Sequence, residues 1–360
     1  MSRKKAMLTI SILLMMFMVM LSGCGAAGSS GNTAAGKTGE STGTTGTAAN
    51  ETRVFETDKG PIEIPAKPQR IITDYYTGAL LSVEGAVVGS GSDAFKNPYI
   101  KDRMKTVKDA GTPINAESVL ELQPDLIVVM YDDQYEQLSK IAPTVHIPFD
   151  AERDIYQTVE LFADLTGHPE KGEQFISKYE EKAAAGREKI KGIIDENATF
   201  GIYELTPKNE LYAFGDNAGR GGQALYNALG LKAPEVIQKE LIQGAEGTKL
   251  LSLEALPQYA ADYMFLTNYD PDGTSESLEK LQKSGVWRNL DAVKNNRFFS
   301  NDFDTFYPYD PIAISEQIDL FADMLIQREA NKSQGPTSPA LFVFTSNMCF
   351  ELEYVLMLWD

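Results

Sequence analysis

Short hydrophobic runs alternate with segments of helical spacing through the first half of the chain. Runs that favour β-strands lie at positions 70–75, 86–89, 125–131 and 144–149. Apolar residues recur with the period of a helix in the segments 79–85, 116–122, 135–141 and 154–167. Strands that alternate with helices favour a mainly parallel sheet covered on both faces. The pattern therefore predicts an N-terminal α/β lobe over residues 54–167.

A second series of the same kind follows and predicts a C-terminal α/β lobe over residues 198–332. Its predicted strands lie at positions 200–205, 211–214, 263–269 and 297–301. Its predicted helices lie at positions 222–229, 277–284 and 311–330.

One long helix is predicted between the two lobes. It begins at Pro169, a favourable first helical residue, and apolar residues then recur at helical spacings up to about Asn197. A helix of about 27 residues spans roughly 40 Å. Gly186 and Gly192 each weaken it by about 1 kcal/mol, which tertiary packing normally overrides. The predicted fold is two Rossmann-like α/β lobes, joined by one long backbone helix over residues 168–197, with a ligand cleft between the lobes.

The two lobes share a short internal repeat. Glu117 precedes Asp125 by eight residues, and Glu254 precedes Asp262 by the same separation. Each aspartate stands at the head of a hydrophobic run, so a short helix that leads into a strand is repeated and the two glutamates should occupy equivalent places. The spacing also fits a structural role, in which each glutamate stabilises a helix N-terminus.

The N-terminus has the features of an export signal. Three basic residues at positions 3–5 precede an apolar stretch, which is followed by Leu-Ser-Gly and Cys24. This end resembles a bacterial lipobox, in which the signal is removed before a cysteine that receives a diacylglycerol. The apolar stretch has about 16 residues where about 20 are needed to span a bilayer, which argues against a transmembrane anchor. Residues 1–23 are predicted to be a lipoprotein signal peptide, and Cys24 the lipidation site.

Two further segments differ in composition from the lobes. Residues 25–50 are almost wholly Gly, Ser, Thr and Ala, so the segment 24–53 is predicted to be a flexible tether. The expected location is the cell membrane, with the protein lipid-anchored and facing outside, or a periplasm. Residues 333–360 form an atypical tail whose apolar runs are too short to span a bilayer, and no function is assigned to it.

Composition and charge exclude several classes of function. The chain has 360 residues and a formal net charge of −18, from 33 Lys and Arg against 51 Asp and Glu, so nucleic acid is not expected as a partner. His146 and His168 are the only histidines, too few for a site that binds a bare metal ion. The glycine-rich segment 89–91 is followed by a Lys-Asn-Pro sequence where a dinucleotide-binding helix would open. An enzyme is therefore not expected.

Four segments resemble a known family. They lie at positions 109–127 (DAGTPINAE followed by LQPDLI), 138–145 (LSKIAPTV), 215–226 (GDNAGRGGQALY) and 305–311 (TFYPYDP). Together they resemble the single-helix-hinge substrate-binding proteins of ABC importers for iron–siderophores, cobalamin and haem. They are similar in particular to the iron(III)-hydroxamate siderophore-binding lipoproteins, and the resemblance covers residues 54–330.

The resemblance implies a lipid-anchored receptor that binds a ferric siderophore, of hydroxamate type, and delivers it to an ABC permease. In that family a glutamate on each lobe docks into arginine pockets of the permease, and the motif assigns these to Glu117 and Glu254. The expected partners are the ferric siderophore, the permease subunits and, through the lipid anchor, the membrane, with the protein itself a monomer. The alternatives are a catecholate or carboxylate siderophore, haem or cobalamin, or a surface lipoprotein without a transport role.

A ferric siderophore is coordinatively saturated, so the expected site offers aromatic walls and hydrogen-bond donors, without a direct ligand to iron and without a cofactor. Tyr131 lies at the carboxyl end of the strand predicted over 125–131, and open α/β sheets bind ligands at that end of their strands. The alternative is that Tyr131 only caps the core. Arg220 lies in a glycine-rich turn that opens a predicted helix. In the resembled proteins this arginine contacts the chelate, often with a tryptophan two residues earlier, where this chain has Ala218.

Four more residues complete the predicted ligand site. Tyr307 and Tyr309 lie in the aromatic segment that matches the cleft rim of the resembled family. Tyr76 and Lys96 lie in loops of the first lobe, and they could equally be ordinary surface residues.

Overall fold

The computed structural model describes residues 51–150, 153–244 and 246–332 of the chain. The predicted signal peptide, Cys24, nearly all of the predicted tether and the tail over residues 333–360 lie outside these residues. What the sequence predicts for them stays a prediction.

The first half of the described chain forms an α/β lobe around a parallel sheet. Its strands are β1 (Thr52–Phe55), β2 (Ile62–Pro65), β3 (Ile71–Thr73), β4 (Val87–Ser90), β5 (Lys108–Asp109), β6 (Leu126–Val129) and β7 (Thr144–His146). Its α-helices are α1 (Thr77–Ser82), α2 (Ala116–Glu121), α3 (Tyr135–Leu138) and α4 (Ile155–Thr166). Strands β1 and β2 form an antiparallel hairpin, and the other five pair in the order β5-β4-β3-β6-β7 with every pairing parallel.

The second half forms another α/β lobe around a mixed sheet. Its strands are β8 (Phe200–Leu205), β9 (Leu211–Phe214), β10 (Thr248–Leu251), β11 (Tyr263–Asn268) and β12 (Phe298–Asp302). They pair in the order β10-β9-β8-β11-β12, where β8, β11 and β12 are parallel and β9 is antiparallel to both neighbours. Between the lobes runs α5 (Pro169–Ile190). The later helices are α6 (Glu235–Ile237), α7 (Leu256–Tyr259), α8 (Glu276–Lys283), α9 (Gly285–Asn289), α10 (Asp291–Lys294), α11 (Phe303–Phe306) and α12 (Pro311–Lys332).

The two lobes and the long helix confirm the predicted fold class, but some elements differ from the prediction. The β1–β2 hairpin, β5 and β10 were not predicted. Strand β5 consists of two exposed polar residues, so no hydrophobic run marks it. The helix predicted over residues 222–229 is a π-helical segment, Gln223–Ala228, and a second π-helical segment follows α6 at Gln238–Ile242.

The linking helix α5 is shorter than predicted. It begins at Pro169 as expected but ends at Ile190, and Lys191 already has extended backbone angles. Gly192 then adopts a φ of 73°, a left-handed conformation that glycine adopts without strain and that turns the chain further from the helix. The predicted extent of 168–197 was therefore wrong at its C-terminal end, because the backbone leaves the helical conformation at Lys191.

Helix α12 packs against α5 and reaches both lobes. It contacts α1 and α4 of the first lobe and the π-helical segment at Gln223–Ala228 of the second. One continuous hydrophobic cluster includes Leu126 and Phe162 from the first lobe, Phe265 from the second and Phe321 from α12. Complete burial of such a side chain contributes about 1.5–3 kcal/mol. The lobes are therefore joined by a shared core as well as by α5, which the sequence pattern did not reveal.

The internal repeat is visible at the start of the central strands. Asp125, before β6, accepts hydrogen bonds from the backbone N–H groups of Gln69 (2.7 Å) and Arg70 (2.9 Å), just before β3. Asp262, before β11, accepts one from the backbone N–H of Thr199 (2.8 Å), just before β8. In each lobe the aspartate thus fixes the start of the neighbouring parallel strand, which accounts for its place in the repeat.

Gly78 lies where α1 of the first lobe meets the start of α12. A Cβ atom at this position would lie 2.2 Å from Cγ of Asp310. Asp310 cannot easily move, because its Oδ1 accepts from the backbone N–H groups of Ile312 and Ala313 and its Oδ2 from Asn97 Nδ2 (2.8 Å). Gly78→Ala is therefore expected to lower the free energy of unfolding by about 2 kcal/mol, measured by urea denaturation.

Gly285 provides the matched control for this substitution. It is exposed at the start of α9, and a Cβ added there would meet nothing within 4 Å. Gly285→Ala should leave the stability unchanged or raise it slightly. Equal stability of the two variants would contradict the close contact between α1 and Asp310.

Candidate ligand-binding site

A cleft of about 1420 Å³ lies between the two lobes. Its lining includes the residues that follow the carboxyl ends of β3, β6, β11 and β12, the edge where open α/β sheets place ligands. Small-molecule sites commonly measure about 300–1,000 Å³, so this cleft has room for a bulky ligand.

All six residues predicted to contact the ligand line this cleft. The first lobe contributes Tyr76, Lys96 and Tyr131, and the second contributes Arg220, Tyr307 and Tyr309. Residues that lie far apart in the sequence are therefore brought to one cavity.

Arg220 occupies an unusual backbone turn. Gly219, Arg220 and Gly221 have φ values of 87°, 56° and 88°, three consecutive left-handed residues. A Cβ at Gly221 would lie 2.4 Å from the ring of Phe321, so glycine is required there for packing as well as for conformation. The turn presents the side chain of Arg220 to the cleft, and the helix predicted after it is a π-helical segment.

The guanidinium of Arg220 is held by one carboxylate and three rings. Its Nε donates to Oε2 of Glu204 at 2.5 Å, and both side chains are largely buried. The guanidinium carbon lies 4.7 Å from the ring centre of Tyr307, 5.0 Å from that of Phe214 and 5.7 Å from that of Phe303. Glu204 accepts only one of the five N–H groups of an arginine, and the two terminal nitrogens carry the other four. The side chain is thus fixed in orientation while it keeps donors for a ligand.

Aromatic rings form walls on both sides of the cleft. Tyr307 stacks on Phe303 at 4.7 Å between ring centres, and Phe303 lies 4.4 Å from Tyr269. On the other side, Tyr75 packs edge-on against Tyr131 at 6.5 Å. Sequence reasoning missed Tyr75, Tyr269 and Phe303. Tyr75 could have been found from its position as the last residue of the strand predicted over 70–75.

The hydroxyl groups of Tyr76 and Tyr309 already have protein partners. Tyr76 donates to the backbone carbonyl of Ile147 at 2.7 Å, and burial raises the pKa of its hydroxyl. Tyr309 accepts from Nε2 of Gln223 at 2.8 Å, and burial raises its pKa to about 12. Both phenols are therefore neutral at physiological pH, and Tyr309 still carries a proton that it can donate.

Tyr131 and Lys96 lie at the rim. The Tyr131 side chain is 57% exposed, so it does not cap the core, and its backbone N–H donates to Asp74 at 3.1 Å. Burial raises the pKa of Asp74, whose carboxylate also accepts from the backbone N–H of Met130 at 2.9 Å. Lys96 is exposed, with Nζ 3.0 Å from Oδ1 of Asp93, and this hydrogen bond raises the pKa of the lysine.

Acidic groups outnumber basic ones around the cleft. Among the described residues that line it are nine Asp and Glu and three Lys and Arg, a formal excess of six negative charges. Within the described ranges, no group of three or more His, Cys, Asp and Glu side chains is placed to hold a metal ion. The described part of the cleft thus suits a neutral or cationic ligand better than an anionic one.

Glu117 and Glu254 lie outside the lining of the cleft. Glu117 is exposed in the first turn of α2, and its backbone N–H donates to the capping side chain of Asn115 at 2.8 Å. Glu254 is exposed in the turn between β10 and α7. Both carboxylates are therefore accessible to a partner protein.

Comparison with known sequences identifies the family. A sequence profile described as periplasmic binding protein matches residues 77–305, well over half of the chain. The chain belongs to the periplasmic binding protein family. The iron(3+)-hydroxamate-binding protein YxeB of Bacillus subtilis is 55% identical to it over 283 residues, which cover 78% of this chain and 88% of that protein. The resemblance seen in the sequence motifs is confirmed.

Two solved structures of this family are also similar. One is a FhuD fold-family periplasmic binding protein of a ferrichrome ABC transporter from Bacillus subtilis, with a TM-score of 0.69 and 33% identity over 76% of this chain and 100% of that chain. The other is FhuD2 from Staphylococcus aureus with bound ferrioxamine B, with a TM-score of 0.64 and 27% identity over 73% of this chain and 100% of that chain. As for membrane insertion, the described helices include none that is both long and apolar enough to cross a bilayer.

Proposed function

We propose that this periplasmic binding protein captures a ferric hydroxamate siderophore in the cleft between its lobes and delivers it to an ABC permease. The observation that carries the proposal is the chemistry of the cleft, which combines tyrosine rings, the oriented donors of Arg220 and an excess of acidic side chains. The high identity to a hydroxamate-binding protein supports the same ligand class.

The iron is cargo that the siderophore keeps coordinated. A saturated hydroxamate chelate presents oxygen acceptors and an apolar outer surface, which match N–H donors and aromatic walls. Arg220 and Tyr309 are proposed to donate to the ligand, and Tyr76, Tyr131 and Tyr307 to pack against it. Lys96 is proposed as a rim contact whose charge Asp93 partly offsets.

The charges around the cleft favour hydroxamates over the other siderophore classes. Ferric hydroxamates are neutral or cationic, whereas ferric catecholate and carboxylate complexes are anionic and would face an excess of carboxylates. Of the three described basic side chains in the lining, Arg220 already shares its charge with Glu204.

The same proposal covers delivery and location. Glu117 and Glu254, one exposed carboxylate on each lobe, are proposed to dock on cationic pockets of the permease. Cys24 is proposed to carry a lipid that holds the monomeric receptor at the outer face of the cell membrane. The segment over residues 24–53 would then act as its tether.

A binding titration tests the ligand class. Quenching of intrinsic Tyr and Trp fluorescence in the purified full chain would be measured with ferrioxamine B, a ferric catecholate, ferric citrate and cobalamin, each siderophore beside its iron-free form. Saturable binding confined to ferrioxamine B is the expected result. Tight binding of the catecholate or citrate complex, or no binding of ferrioxamine B, would refute the hydroxamate assignment.

A further inference from the structure

One face of the C-lobe sheet changes from apolar to polar as it reaches the cleft. Ile202, Phe265 and Phe299 are neighbours in register on β8, β11 and β12, and all three are buried in the shared core. The side chains two residues further along each strand project from the same face, because side chains alternate along a strand. The next row should therefore lie above this core, at the edge that borders the cleft.

That row consists of Glu204, Thr267 and Asn301, again in register. All three side chains are buried, with exposed fractions of 7%, 0% and 3%. Glu204 projects toward the cleft, since it binds Arg220. Asn301 stands two strands away in the same row and also lines the cleft, whereas Thr267 does not line it.

The side-chain amide of Asn301 is buried, and no other described residue pairs with it. Within the described residues, neither its Oδ1 nor its Nδ2 makes a hydrogen bond. A buried amide without partners is costly, and the great majority of buried polar atoms in folded proteins are paired. A residue that lines the cleft thus carries a buried donor and a buried acceptor that no described residue pairs.

We infer that Asn301 is a specificity-determining residue that hydrogen-bonds an amide in the linker of the ferric hydroxamate. This inference rests on the proposed function. The iron-bound oxygens of a hydroxamate only accept hydrogen bonds, so they suit Arg220, which only donates. Because Oδ1 of Asn301 also only accepts, the iron-bound oxygens could not pair with it. A secondary amide carries one N–H donor and one C=O acceptor, so it can satisfy both atoms of the asparagine at once.

Asn301→Leu tests the inference, because leucine has the same branching at Cγ and neither donor nor acceptor. Fluorescence titration of the full chain would compare ferrioxamine B, whose linkers contain secondary amides, with iron(III) tris(N-methylacetohydroxamate), which has the same six chelating oxygens but no linker amide and no N–H group. The second complex can be measured by displacement of ferrioxamine B at millimolar concentration. The variant is expected to lose at least tenfold in affinity for ferrioxamine B and less than twofold for the N-methylacetohydroxamate complex.

Thr267→Val is the matched control. Thr267 Oγ1, in the same row, is also buried and has no hydrogen-bond partner among the described residues, but Thr267 does not line the cleft. The valine variant should bind both chelates as the wild type does. Asn301→Leu should also melt at or above the wild-type temperature, since leucine removes an unpaired buried amide.

Each other outcome overturns the assignment. Unchanged affinity of Asn301→Leu for ferrioxamine B would mean that water pairs with the amide. Equal losses for both chelates, or the same loss in Thr267→Val, would mean that the substitution only disturbs the sheet edge. A wild-type chain that binds neither chelate would instead refute the proposed function, and with it this role of Asn301.

Discussion

Arg220→Ala is expected to lower the affinity for ferrioxamine B at least tenfold, which corresponds to about 1.4 kcal/mol or more. The substitution removes the donors that the left-handed turn presents to the cleft, and it also removes the cation between the rings of Tyr307, Phe214 and Phe303. It leaves Glu204 buried without its partner, so a loss of stability is expected as well. Fluorescence titration and thermal melting would measure the two effects separately.

Two further variants separate binding from folding. The double variant Arg220→Ala with Glu204→Gln removes the unpaired carboxylate, so it should regain stability without regaining affinity. Arg297→Ala is a matched control, because the guanidinium carbon of Arg297 also lies 4.7 Å from a tyrosine ring, that of Tyr263, but does not line the cleft. Its affinity should equal that of the wild type. An Arg220→Ala variant within twofold of wild-type affinity would contradict a role of Arg220 in ligand binding.

Replacement of both Glu117 and Glu254 by alanine is expected to reduce ferric hydroxamate uptake to the level of cells without the protein. The two exposed carboxylates lie one on each lobe. A partner with two positively charged pockets can therefore bind both carboxylates at once only when the lobes have the matching orientation. Neither lines the cleft, so affinity for the ligand should stay unchanged. Uptake of radioactive iron as ferrioxamine B, with binding measured on the purified variant, would test both statements.

Glutamates elsewhere on the surface provide the control for this experiment. Glu121 is exposed on the same helix as Glu117, and Glu276 is exposed in the first turn of α8. Alanine at both positions removes the same charge and should leave uptake intact. Wild-type uptake by the Glu117 and Glu254 double variant would exclude the docking role, whereas lost affinity would show that the substitutions act on the fold.

Hydrophobic periodicity predicted the two lobes because most strands are buried runs with helical segments between them. It located the start of the long helix at Pro169 but not its end, because the backbone conformation at Lys191 and Gly192 depends on how the chain turns toward β8. It could not reveal strand β5, which has two exposed residues, or the shared core, which is formed by residues far apart in the chain.

Part of the candidate site could be predicted because it lies in short stretches of sequence that can be recognised by themselves. Motif resemblance pointed to Arg220, Tyr307 and Tyr309, since each stands in a recognisable local sequence. Sequence motifs could not predict the residues that strand pairing brings into the site. Glu204 holds Arg220 from another element, and Asn301 reaches the cleft only because β12 pairs in register with β11. The local sequence around each residue carries no signal for such cross-strand neighbours.

The shared core has a consequence for how the molecule loses its structure. Leu126 and Phe162 belong to the same buried cluster as Phe265, and Phe321 of α12 belongs to it too. Neither lobe can release its half of that cluster without exposing apolar surface on the other. The two lobes are thus separate in shape, but they are expected to unfold together as one cooperative unit. A ligand bound in the cleft therefore protects the entire body against unfolding, including helices that lie on the far side from it.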